Sequence, residues 1–234
     1  GTPMMWGFGP TPDGEVVLQQ PFQPGFADIS SNVPLLIGTT FNELQRLNYN
    51  RNITLEQART ELQRTFADET DAYIDAFAEA YPDYTPQDLL SIDWLFRPKT
   101  IITADYVAKS RKAKTYTYMF TWRSPINKGS VHGNELNFCF NTLERAGNEL
   151  PQPTEQDYEL ADIMSSVWAQ FAKTGNPNIK ELPKWKAYTA KNGEMMIFDY
   201  NCEIRNNPDR KLEEIIDRHC FKQLDEFRKK QAGK

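Results

Sequence analysis

The chain has 234 residues, enough for one domain or for a large part of a bigger one. Its 27 basic and 32 acidic residues give a net charge of −5 and a pI near 5.2, so it carries no basic footprint for nonspecific nucleic-acid or anionic-membrane binding. Mean hydropathy is −0.65, no apolar run approaches the ~20 residues of a membrane helix, and 12% aromatic residues is too much buried-type surface for a disordered chain.

Residues 1–32 are punctuated by Pro3, Pro10, Pro12, Pro21 and Pro24 among Gly7, Gly9, Gly14 and Gly25. That disfavours regular elements, except a short extended piece at 15–18. The segment reads as a surface excursion in the middle of a protein, and its first six residues lack the basic region and long apolar run of a signal peptide. Residues 33–40, Val-Pro-Leu-Leu-Ile-Gly-Thr-Thr, form a short β-branched apolar run that predicts a buried strand.

Helices follow. Thr54-Leu55-Glu56-Gln57 is a capping-box pattern, after which Leu55, Ala58, Leu62 and Phe66 share a face. Tyr73, Ile74, Phe77, Ala78 and Tyr81 repeat the spacing until Pro82. Thr85-Pro86-Gln87-Asp88 predicts another start, with a break or kink at Pro98 and helix again over 101–112. Residues 114–122, rich in Thr and aromatics, predict a strand, and 123–131 a loop.

Thr154 predicts the cap of a helix over 154–173, striped by Leu160, Met164, Val167, Trp168 and Phe171 and ended by Gly175 and Pro177. Residues 194–200 read as a strand. Leu212, Ile215, Ile216, His219, Phe221, Leu224 and Phe227 read as a last amphipathic helix. Strands spaced by helices indicate an α/β class with a largely parallel sheet of three to four strands.

Chemistry concentrates at two strand ends. His132 follows the strand over 114–122, and Glu43 follows the strand over 33–40; ligands of α/β sheets bind outside such carboxyl ends. Alone, each has a plain alternative, a turn residue for His132 and a surface carboxylate for Glu43. An acid after one strand and a His after a later one is the chain order of α/β-hydrolase triads. The only other histidine, His219, reads as a packed helix residue.

No Gly-x-Ser-x-Gly elbow occurs, and Ser130, two residues from His132, has the wrong spacing to be a nucleophile. The three cysteines, Cys139, Cys202 and Cys220, are widely spaced, with no CxxC or Cys/His cluster for zinc, and no Gly-rich phosphate loop is present.

These residues carry a resemblance. Pro12-Asp13-Gly14-Glu15 with Pro21, the run Val33 through Glu43, and His132-Gly133-Asn134-Glu135-Leu136-Asn137-Phe138 resemble ordered motifs of the type-B carboxylesterases, the cholinesterase-like branch of the α/β-hydrolases. The most specific match is Trp168 through Asn178, followed by Leu182-Pro183-Lys184-Trp185 and Tyr188. The similarity runs from about residue 10 to about residue 225.

The resemblance implies that residues 1–234 are the C-terminal portion of a carboxylesterase-type α/β-hydrolase domain, with three to four strands, flanking and cap helices, and the nucleophile-bearing half absent. It makes His132 the general base and acid and Glu43 the residue that holds its tautomer, with Glu135 a structural anchor of the His loop. The chain alone is then inactive, the substrate is a small ester, and no metal or organic cofactor is implied. The expected partner is the N-terminal half or a second copy of this chain, since an open sheet edge associates. Family habit implies a secreted or periplasmic location.

Two departures stand out. Leu44 follows the acid where the family often has Gly. Cys220 falls at a family cysteine whose usual partner near residues 95–98 is missing here, which leaves it free or paired with Cys202. Trp94, Phe96, Phe138 and Phe140 are pocket candidates, with core packing the plainer use for most. A second reading is a non-catalytic cholinesterase-like binding or adhesion protein; a third is an isolated structural domain. Ser at the elbow of the missing half would mark the enzyme, and Gly or Ala the binder.

Overall fold

Side chains alternate along residues 115–120, and that alternation divides the core in two. Tyr116, Tyr118 and Phe120 face one layer of helices, whereas Met119 faces the other. The computed structural model describes residues 12–18, 30–44, 52–110 and 112–221. Within them β1 (Leu35–Thr40), β2 (Thr115–Phe120), β3 (Glu194–Phe198) and β4 (Glu203–Asn206) form one sheet in that order. β1 to β3 are parallel, as expected, and β4 is antiparallel to β3. No periodic signal marks β4, because it is a short, polar, solvent-facing edge.

One face of the sheet packs on α1 (Leu55–Phe66), α2 (Thr70–Ala80) and α7 (Arg210–Ile216). There Ala58, Leu62, Phe66, Tyr73, Phe77 and Leu212 meet Met119, Met195 and Ile197. Between α2 and β2 come the single-turn α3 (Asp88–Ser91) and α4 (Arg97–Ser110), the latter lying against β1 and β2. The opposite face carries α5 (Leu136–Cys139) and α6 (Glu155–Thr174), where Phe138, Leu160, Met164 and Val167 pack on Tyr116, Phe120, Met196 and Phe198. Strands covered on both faces are the mark of a parallel sheet.

Both capping boxes form. Thr54 is paired with Gln57 and Thr154 with Asp157, and Gly175 closes α6 with φ +68°. Other expectations need correction. Residues 15–18 are a bend and not an extended piece, because the Asp13 carboxylate accepts the amides of Glu15, Val16 and Val17 at 2.9–3.0 Å. Leu55 is exposed at the start of α1.

Pro98 does not break a helix. It sits in the first turn of α4, where the Asp93 carboxylate accepts the amides of Leu95, Phe96 and Arg97. α7 ends at Ile216 and passes into a π-helical turn, Asp217–Phe221. The helix positions expected at Leu224 and Phe227, and most of the Pro/Gly-rich opening, lie outside the described residues. Cys139 and Cys202 carry free thiols, and the side chain of Cys220 lies outside the described residues.

Candidate functional site

The site grows from the end of β1. Past Thr40 the β1–β2 pairing continues through the loops: Phe41 N–H donates to the Phe120 carbonyl at 2.9 Å and Asn42 N–H to that of Ser130 at 2.8 Å. A parallel bridge then joins Glu43 to Val131, and His132 N–H donates to the Glu43 carbonyl at 3.0 Å. Locally the turn is a reciprocal pair. Thr40 N–H donates to Glu43 Oε1 at 2.8 Å, and Glu43 N–H donates to Thr40 Oγ1 at 3.0 Å. This is the Thr-x-x-Glu logic of a capping box used without a helix. It holds Glu43 at φ +37°, so the left-handed residue of the turn is the acid itself and not Leu44 after it.

Asn42, which sequence reasoning passed over, is the hub. Its Oδ1 accepts Ser130 N–H at 2.7 Å, and its Nδ2 donates to the Ser91 carbonyl and hydroxyl at 3.0 and 3.1 Å. Asn134, also passed over, orders the next loop. Its Oδ1 accepts Val131 N–H at 2.9 Å, and its Nδ2 reaches Glu149 Oε2 at 2.7 Å. The Thr-x-x-Glu spacing at 40–43 was the one signal in sequence for this turn.

The structure brings Glu43 and His132 together: Nδ1 lies 2.6 Å from Oε2. The Glu43 side chain is 8% exposed and that of His132 61%. A carboxylate only accepts, so Nδ1 carries the hydrogen of this bond, and in the neutral ring Nε2 is the basic atom. A buried acid orienting an exposed imidazole is the arrangement of a general base.

Around the pair the charges are tuned by burial. Burial raises the Glu135 carboxyl above the usual value and the Glu43 charge adds to this, while its own amide and His132 oppose it. Its Oε2 is buried without a hydrogen-bond partner among the described residues. Burial also raises Asp93, against the pull of three backbone amides. Burial, helped by Glu135, pushes the Cys139 thiol up to about 12, so it stays protonated and unreactive near neutral pH.

Ser130 is fully buried, and its hydroxyl donates to the Phe120 carbonyl at 2.7 Å, which makes it a structural tie. His219 joins Glu69 at 2.6 Å and packs edge-on against Phe66, at the junction of α1 and α2. Of the aromatic candidates, Phe138 is core and Trp94 packs on the core's edge, but Phe96 and Phe140 are exposed, contrary to the packing expectation. Among the described residues no group of three His, Cys, Asp or Glu side chains is arranged to hold a metal, and no helix is long and apolar enough to cross a membrane.

The family model of the carboxylesterase family matches residues 1–215. The para-nitrobenzyl esterase of Bacillus subtilis (strain 168) is 30% identical over 218 residues, covering 86% of this chain and 41% of that protein. The bile salt-activated lipase of Rattus norvegicus is 31% identical over 118 residues, covering 46% of this chain and 18% of that protein. Among solved structures, an esterase from anaerobic Clostridium hathewayi, described as able to hydrolyse aliphatic aromatic polyesters, superposes with a TM-score of 0.74. It is 29% identical, with 83% of this chain and 39% of that one covered. The chain thus spans less than half the length of the relatives it matches.

Proposed function

The chain belongs to the carboxylesterase family, with part of an α/β-hydrolase fold, and from that premise we propose that it supplies the acid and the histidine of a serine carboxylic-ester hydrolase. The 2.6 Å contact between buried Glu43 and exposed His132 carries this reading. The nucleophile comes from sequence outside these 234 residues, because no Gly-x-Ser-x-Gly elbow lies within them.

Glu43 keeps the hydrogen on Nδ1 and stabilises the imidazolium as it forms. Nε2 of His132 takes the proton of a serine hydroxyl while that oxygen bonds to the ester carbonyl carbon. The tetrahedral intermediate then expels the alkoxide, and His132 returns the proton to it. A water molecule repeats the cycle on the acyl-enzyme: His132 takes its proton and gives it to the departing serine oxygen.

The nucleophile-bearing portion is also the proposed partner. Among the described residues β1 is a sheet edge, and its Leu35, Leu36 and Ile37 are only half-buried although apolar. A strand paired on that edge would cover them and bring a serine to the carboxyl end of the sheet.

The test assays a p-nitrophenyl ester with the purified chain, alone and joined to its nucleophile-bearing portion. The expected result is background alone and turnover in the joined protein, lost in His132→Ala. Rapid turnover by the chain alone would overturn the divided triad. A Gly or Ala at the joined elbow would favour the non-catalytic binding reading. Light scattering showing a stable monomer of the chain alone would count against the open edge, and a homodimer would make a second copy its occupant.

A further inference from the structure

We propose that the cleft at the carboxyl end of the sheet, lined from the end of α2 and from the β3–β4 turn, is a binding site for a neutral saccharide. Its volume is about 480 Å³, the size of a small-molecule site. The first residue past each parallel strand lines it: Phe41 after β1, Thr121 after β2 and Asp199 after β3. That is where the topology of an α/β sheet leaves room for a ligand. The inference does not need the reading of Glu43 and His132 as a proton-transfer pair.

Tyr200 is the feature that points to a ligand. It lines the cleft and is 49% exposed, yet it is held at both ends. Its hydroxyl donates to Asp157 Oδ1 at 2.8 Å, and its amide donates to Asp199 Oδ1 at 2.8 Å. Asp157 is buried and also accepts Trp122 Nε1–H, so the phenol is anchored to the core. A ring fixed before binding loses little further freedom when something stacks on it. Tyr84, with buried Phe41 and Ile197, adds apolar surface to the same cleft.

The polar groups decide the class of ligand. Asp83, Asp199 and Glu203 bring carboxylates to the wall, and Arg123 and Arg205 bring guanidiniums. An ion of either sign would meet like charge there. The guanidiniums are also engaged. Arg123 forks onto buried Asp88 at 2.8 and 3.0 Å, and Arg205 donates to the Ala80 carbonyl at 2.6 Å and lies over the Tyr81 ring. A hydroxyl both donates and accepts, so it suits carboxylate and guanidinium alike. Asp199 is preset for this: Thr121 Oγ1 donates to its Oδ2 at 2.8 Å and the Tyr200 amide to its Oδ1, and each oxygen keeps a further lone pair. A pyranose carries such hydroxyls around its rim and an apolar C–H face that can lie on a fixed tyrosine ring.

The experiment uses the chain joined to its nucleophile-bearing portion and titrates neutral probes: cellobiose and the methyl glycosides of glucose, galactose and mannose. NMR should show at least one of them bound with a Kd of about 1 mM. Tyr200→Ala should weaken that probe about tenfold, and Tyr200→Phe, which keeps the ring but not its anchor, by a smaller factor. In the unaltered protein, nuclear Overhauser contacts should join the sugar C–H protons to the Tyr200 ring, a reading that needs no variant to fold. No binding of any probe at about 20 mM, or binding that makes no contact with Tyr200 and survives Tyr200→Ala unchanged, would overturn the proposal. Methylammonium or acetate bound at these residues more tightly than every sugar would overturn it in favour of an ion site. Absence of esterase activity in the joined protein would sink the functional reading alone and leave this one standing.

Discussion

The Glu43 carbonyl accepts the His132 amide at 3.0 Å, so the two residues whose side chains meet are also joined through the main chain. The side-chain contact is therefore a product of sheet register. β1 and β2 pair in parallel from Leu35–Thr115 to Thr40–Phe120, and the pairing continues past both strands to the Glu43–Val131 bridge. Any change that slips this ladder moves acid and base apart together.

Glu43→Gln tests the charge separately from the geometry. Gln keeps the size and can still hydrogen-bond Nδ1, but its NH₂ can donate and so select the wrong tautomer. In the joined enzyme kcat should fall by about 10⁴-fold with little change in KM, as for loss of charge in a triad acid. Activity within about tenfold of wild type would remove Glu43 from the reaction.

Asn42→Ala tests the hub. The change strips Ser130 N–H and the Ser91 carbonyl of their partners inside a buried turn. Each orphaned buried group costs about 1–3 kcal/mol, so calorimetry should show Tm lowered by roughly 5–15 °C. A Tm within about 1 °C of wild type would mean that the loops hold their places without Asn42.

Legibility follows the range over which each signal acts. The capping boxes at Thr54 and Thr154 need only residues three apart, and they are plain in the sequence. Strands β1 to β3 are legible because apolar, β-branched and aromatic residues fill them, although β1 is only half-buried over Leu35–Gly38. β4 is not, since an edge strand exposed to water keeps no hydrophobic period. Pro98 looks like a breaker until Asp93, five residues earlier, is seen to cap the turn that contains it. Glu43 and His132 stand out by their motifs, yet Asn42 does not, because an asparagine in a turn already has a local explanation. Its partners at 91 and 130 are brought in only by the fold.

Glu213 gives the pH dependence. Arg97 spends its fork on Asp209, so Glu213 Oε1, 3.5 Å from Nε, is buried without a hydrogen bond among the described residues. Burial pushes the Glu213 carboxyl from 4.5 up to about 8, with the Asp209 charge adding and Arg97 opposing. The folded state thus keeps a proton that the unfolded chain gives up. The associated stability is full below pH 4.5 and is lost as pH rises to about 8. Glu213→Gln should flatten the fall of Tm across that window and raise Tm at pH 8, by roughly 2–4 °C for each kcal/mol recovered. Parallel Tm curves for the variant and the wild type would show that Glu213 ionises normally in the fold.

Gly38→Ala tests the closeness of the two strands that carry the site. A Cβ at Gly38 would collide with the Tyr118 carbonyl oxygen and lie 2.5 Å from Cγ and Cδ1 of its ring. The ring has little room to yield, since Trp168 and Phe198 pack on it at 5.1 and 5.9 Å. The carbonyl yields only if β1 parts from β2. Overpacking of this kind costs roughly 1–3 kcal/mol, and here it should also loosen the Glu43–His132 contact, read as faster exchange of the His132 Nδ1–H. A double variant, Gly38→Ala with Tyr118→Leu, separates the two clashes. It frees the methyl from the ring but not from the backbone oxygen, so it should recover only part of the loss. Full recovery would mean that the ring alone demands glycine, and that the strands are not packed too tightly for a side chain.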